Sequence, residues 1–126
     1  MPEAEDYLAR AGQFPREASQ IAEIGLASAA ARSAYYAAFH AAEAYILQKS
    51  GKIAKTHSGV RREFARLTKD DPTIDRHMTV FLPQAYRYKE IGDYGVTNEF
   101  VITMEHADSA IQSAGEFLDG VRKALA

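Results

Sequence analysis

Arg32, Tyr36 and His40 follow one another at intervals of four, so a helix through them carries a cation, a phenol and an imidazole along one face. Two readings fit that line: internal hydrogen bonds and stacked rings, or a cleft that holds a ligand. His40 also sits among alanines, where an internally hydrogen-bonded histidine is the simpler expectation. A second group, Lys55, His57 and Ser58-Gly59, reads as a loop before a helix. It can present backbone N–H groups and a cation to an anion, or it can serve only as a capped turn. In the third group Arg87 precedes Asp93 with five residues between them, Tyr94 follows directly, and Tyr86 and Tyr88 flank the arginine. Arg87 could hold a phosphate while the tyrosines stack bases, or the same residues could pair and pack at a helix end. Asp93 is a weak catalyst on its own. A carboxyl whose ordinary pKa is about 3.9 accepts a proton but gives one poorly to a leaving alkoxide, and an arginine beside it would hold it charged.

The elements that position these groups read as helices throughout, with short joins and no strand signal. Segments from Glu3 to Phe14 and from Pro15 to Ile24 open the chain, with a kink or break expected at Pro15, which lacks an N–H. A helix from about Ala27 to Ser50 should close at Gly51. Ten of the 21 residues from Ala27 to Leu47 are alanine, which places that helix in the middle of a bundle, with Tyr35, Phe39, Tyr45 and Ile46 supplying the bulk. Ser58 is the expected cap of the next helix, which buries Val60, Phe64 and Leu67. Asp71-Pro72 announces another, with Ile74, Met78, Phe81 and Ala85 inward, Pro83 bending it and Gly92 ending it. The last helix carries a seam from Phe100 through Met104, Ala107, Ile111, Ala114, Leu118, Val121 and Leu125, with Thr97 as its cap and Val96 stapled to Val101. Amphipathic helices of this kind pack as an all-α, up-and-down bundle.

Composition narrows the class further. A chain of 126 residues with 47% apolar content suits one domain and one core. It has no cysteine, which excludes a disulfide framework and a thiolate metal site, and no His or Glu pair sits at ligand spacing with a third ligand. The glycines are scattered rather than gathered in a phosphate loop, so neither a metal nor another cofactor is expected. Without an apolar run long enough for a bilayer or a basic, apolar leader, a cytoplasmic protein with no membrane partner is the expectation. Charge is unevenly placed. Lys49, Lys52, Lys55, Arg61, Arg62, Arg66 and Lys69 face only Glu63 in their stretch, whereas from Glu90 to Asp119 there is no Lys or Arg. Such a basic side is either solvated or a surface for phosphate.

The run from Arg32 to Tyr45, with Tyr35-Tyr36-Ala37-Ala38-Phe39-His40-Ala41-Ala42 at its heart, is followed by Lys55-Thr56-His57-Ser58-Gly59 and later by Arg87 with Asp93-Tyr94. These three landmarks, in this order, resemble the HEPN domain family, and the resemblance covers most of Glu5 to Phe117. It implies a helical bundle of four to six helices forming one domain over residues 1–126. In its catalytic branches the family is associated with ribonuclease activity carried by an Arg, four to six intervening residues, and a His. No Arg–His pair in this sequence has that spacing, and Asp93 stands where the imidazole would. The resemblance therefore implies a homodimeric module that binds nucleic acid or nucleotides, or recognises a partner, beside a minimal nucleotidyltransferase in a toxin-antitoxin or defence-type pair. The alternative is a metal-independent endoribonuclease with Arg87 and Asp93 as an atypical catalytic pair in a cleft shared across the dimer. Arg32, Tyr36, His40, Lys55, His57 and Tyr94 are the ligand-binding candidates in either case.

Overall fold

The computed structural model describes residues 3–95 and 100–126, which contain six helices and, among these residues, no strand. In chain order they are α1 (Ala4–Ala11), α2 (Phe14–Glu23), α3 (Ala27–Ser50), α4 (His57–Thr68), α5 (Arg76–Tyr94) and α6 (Met104–Leu125). The all-α bundle expected from the periodicity is the observed fold. Helix α3 touches each of the other five, and its alanines explain why. Ala30, Ala34, Ala37, Ala38, Ala41 and Ala42 are wholly covered, so backbones on every side can come close. Bulk enters at a few points. Tyr45 lies edge-on to Phe64 at 5.4 Å between ring centres, and Phe64 meets Phe117 of α6 at 5.2 Å. None of the helices among the described residues is long and apolar enough to cross a membrane.

At Pro15 the chain breaks rather than kinks: α1 closes on Gly12, and Phe14 and Pro15 form the first turn of α2, where a missing N–H costs nothing. Gly51 closes α3 as expected, with φ at 73° and its N–H donating to the Leu47 carbonyl at 2.8 Å.

Four boundaries differ from the sequence reading, each for a physical reason. Thr56, not Ser58, caps α4, its hydroxyl accepting from the Gly59 N–H at 2.9 Å. A Cβ at Gly59 would stand 2.8 Å from that hydroxyl, so glycine is what lets the cap close. Asp75, not Asp71, caps α5, because Asp71 is already committed to a turn: its carboxylate accepts from the Thr73 N–H at 2.9 Å and from the Tyr45 hydroxyl at 2.5 Å. Those bonds, the Thr73 hydroxyl's first among them, hold the Asp71 carboxyl down to about 2. Gly92 does not end α5, which runs through exposed Pro83 to Tyr94. Its bare backbone instead admits α3, since a Cβ there would collide with the Ser28 hydroxyl. Finally, α6 begins at Met104 under a reciprocal cap between Thr103 and His106. Phe100 precedes the helix and is exposed, while Val96 and Thr97, the expected staple and cap, lie outside the described residues.

Candidate functional site

Helix α3 offers Tyr35, Tyr36, Phe39 and His40 as two adjacent ridges, and the first turn of α4 lays His57 against them. His57 is thus a helical residue, not a loop residue as its sequence suggested. Its ring centre is 4.7 Å from that of Phe39 and 5.4 Å from that of Tyr86 on α5. The Tyr35 hydroxyl and His57 Nδ1 are 2.6 Å apart. Burial drives the Tyr35 hydroxyl pKa well up, and burial with the charges of Lys89 and Arg61 pushes the His57 imidazole below its ordinary value. A phenol kept protonated and an imidazole kept neutral make this a hydrogen bond between two uncharged groups.

Around this centre the charges are paired along α5. Lys89 is almost fully covered, and its Nζ reaches Asp93 at 2.9 Å, one helical turn on. The bond to Asp93 raises the Lys89 pKa against the effect of its burial. Arg32 on α3 reaches the same carboxylate, Nε to oxygen 3.4 Å, and lies over the Tyr36 ring at 5.5 Å. Tyr36 and His40 stack in turn with Phe14 of α2, and His40 Nδ1 meets Glu43 at 2.6 Å. The expected line of Arg32, Tyr36 and His40 is therefore a chain of ring stacking and ion pairs that ends at Asp93.

The remaining candidates are scattered. Asp93 pairs with Lys89 and Arg32, whereas Arg87 lies over the Phe100 ring at 6.0 Å, beside Tyr88 and His106. Tyr94 is mostly exposed, with Lys89 5.6 Å from its ring centre, and Lys55 is an exposed residue of the join before α4.

Sequence reasoning missed Lys89 and Glu90, and placed Arg61 only within the basic run, as a solvated charge or part of a phosphate surface. Arg61 turns from the basic run onto Tyr86, Cζ 3.9 Å from its ring centre, and Tyr86 donates to Glu90 at 2.5 Å, a bond that raises the Tyr86 pKa. A usable signal was present, since His57 to Arg61, Tyr86 to Glu90 and Lys89 to Asp93 are each one helical turn. Chemically, the cluster combines stacked aromatic faces, a neutral imidazole and three cations. That set suits a flat, anionic ligand better than a metal or an apolar one.

A family model described as the HEPN domain matches residues 4–124. The chain is similar to the "UPF0332 protein" of Archaeoglobus fulgidus, 30% identical over 131 residues that cover 99% of this chain and 97% of that protein. It is also similar to two proteins of Methanocaldococcus jannaschii. "Putative toxin MJ0142" is 31% identical over 91 residues, 72% of this chain and 60% of that protein. "Putative toxin MJ0605" is 33% identical over 92 residues, 73% of this chain and 66% of that protein.

Proposed function

The chain belongs to the HEPN domain family, and from that premise we propose that it is the RNA- or nucleotide-binding member of a toxin-antitoxin or defence-type pair. In this reading it works in the cytoplasm as a homodimer, with a minimal nucleotidyltransferase as its partner. The word toxin in the names of both Methanocaldococcus relatives supports the class of role.

What supports binding over cleavage is the fate of Asp93. Its carboxylate is held by Lys89 and Arg32, while Arg87 faces another side of α5, so the two share no point at which a phosphate could react. A carboxylate tied to two cations has little use as an acid or a base. Incubating the purified chain with labelled RNA in chelator tests this. Binding without scission is expected, and scission abolished by Arg87→Ala would overturn it.

One observation favours the nuclease alternative by another route. In the tautomer whose Nδ1–H donates to the Tyr35 hydroxyl, a neutral His57 is left with Nε2 free to accept a proton. Scission lost in His57→Ala but kept in Arg87→Ala would select that route.

A further inference from the structure

Arg61 lies over Tyr86 at the distance of a stacked ring, with Cζ 3.9 Å from the ring centre. It is poorly rewarded there. Its Nη1 is shielded from solvent with no hydrogen-bond partner, and among the described residues no carboxylate stands within ion-pair distance of it. Glu90 mirrors this beside the same ring: Oε1 accepts the Tyr86 hydroxyl, while Oε2 is shielded and without a partner. An open donor and an open acceptor about one aromatic face are each costly, and an occupant that supplies the complement of both relieves both. Lys89 Nζ, 5.9 Å from the ring centre, adds positive charge. The complement is a flat ring with a hydrogen-bond donor and an attached anion.

We propose that Tyr86 is the stacking platform for the base of a 5′-phosphorylated nucleoside, and that Arg61 is a lid which yields its place to the base and takes the phosphate. Glu90 Oε2 then accepts from an amine or hydroxyl of the ligand. The proposal rests on the nucleotide-binding reading above and assigns that reading a subsite. In opening, the lid breaks no ion pair among the described residues and vacates a position in which Nη1 has no hydrogen-bond partner, and the base that replaces it takes over the contact with the Tyr86 ring. Once free, a guanidinium meets a phosphate in the two-pronged geometry it favours. Arg61 is partly exposed at the first turns of α4, so the swing is outward to solvent.

Calorimetric titration of the whole chain with ribonucleoside 5′-monophosphates, the parent nucleosides, and a short RNA bearing either a 5′-phosphate or a 5′-hydroxyl tests this. Tyr86→Leu is expected to weaken nucleotides and nucleosides alike by about tenfold, the loss of one base–aromatic stack. Tyr86→Phe, which keeps the ring, should retain most of the affinity. Arg61→Ala should erase the preference for phosphorylated ligands while nucleosides bind at least as well as before. Melting curves by circular dichroism establish that each variant is folded, and if Tyr86→Leu is not, Arg61→Ala decides alone. A preference of the RNA for its 5′-phosphate identifies a strand end as the ligand, and tight binding of monophosphates alone identifies the free nucleotide. RNA binding with no monophosphate binding and no effect of Tyr86→Leu would overturn the subsite and leave the broader reading standing. Binding of neither RNA nor nucleotide would overturn both.

Discussion

On the side of α5 that meets α3 and α4, Lys89 is buried, Tyr86 and Glu90 are half-buried, and Lys89 and Glu90 each hold a polar partner, whereas Arg87 and Tyr88 lie beside Phe100 near the start of α6, next to exposed chain. Helical phase creates this split. Positions 86, 89, 90 and 93 recur at steps of three and four and share a face, while a step of six residues turns about 600°, which leaves Arg87 and Asp93 about 120° out of line. A motif that looks continuous on paper is therefore divided between two surfaces. The inner one is an interlocked network, in which each substitution should carry a structural cost. On the outer one Arg87 is exposed and can change with little effect on the fold.

The contrast is broken most directly by truncating one side chain on each side. Phe39 is at the limit of burial and packs on Tyr35 and His57, so Phe39→Ala should destabilise the chain by about 3 to 5 kcal/mol. Arg87→Ala, on the outer surface, should change stability by no more than about 0.5 kcal/mol. Urea unfolding of the two variants measures both, and similar costs would mean that the two faces are not distinct after all.

A smaller effect sharpens the same division within the charged groups. Asp93→Asn keeps the shape but removes the anion that holds buried Lys89, and should cost about 1 to 2 kcal/mol by leaving an ammonium poorly compensated. A surface ion pair such as Arg66 with Glu63 should contribute far less, and Arg66→Ala provides the reference. Equal losses in urea unfolding would show that Lys89 is better solvated than its burial implies.

How far such features were readable in advance depended on whether local chemistry alone decided them. Gly51 and the alanines of α3 were legible, since no other residue nearby could close that helix and nothing but a central position suits so much alanine. The starts of α4, α5 and α6 were not, because each has two capping residues within a few positions: Thr56 or Ser58, Asp71 or Asp75, Thr97 or Thr103. Long-range contacts chose between them at α5, where Tyr45 of α3 draws Asp71 away. The site was half legible for the same reason. The line from Arg32 to His40 follows from periodicity, but the junction of Tyr35 with His57 and of Arg61 with Tyr86 joins helices distant in sequence. Arg61 in particular read as one charge of a basic run, solvated or facing phosphate, with nothing to single it out from Arg62 or Arg66.

The subtlest test concerns the imidazole at the centre of the inner face. Burial and the nearby charges of Lys89 and Arg61 lower the His57 pKa in the folded chain, so the unfolded chain binds this proton more readily. Where the unfolded form carries the extra proton, stability rises with pH. The contribution of His57 is therefore complete above the ordinary histidine pKa of about 6.5, and it is lost as the pH falls toward the lower folded value. The chain carries three other histidines, so the wild-type slope alone does not isolate it. The difference between wild type and His57→Phe does: unfolding free energies measured from pH 7.5 down to pH 5 should fall more steeply for the wild type, and parallel profiles would remove His57 from the buried network. A profile flattened by that one substitution would in turn locate the acid sensitivity on the face where the rings meet.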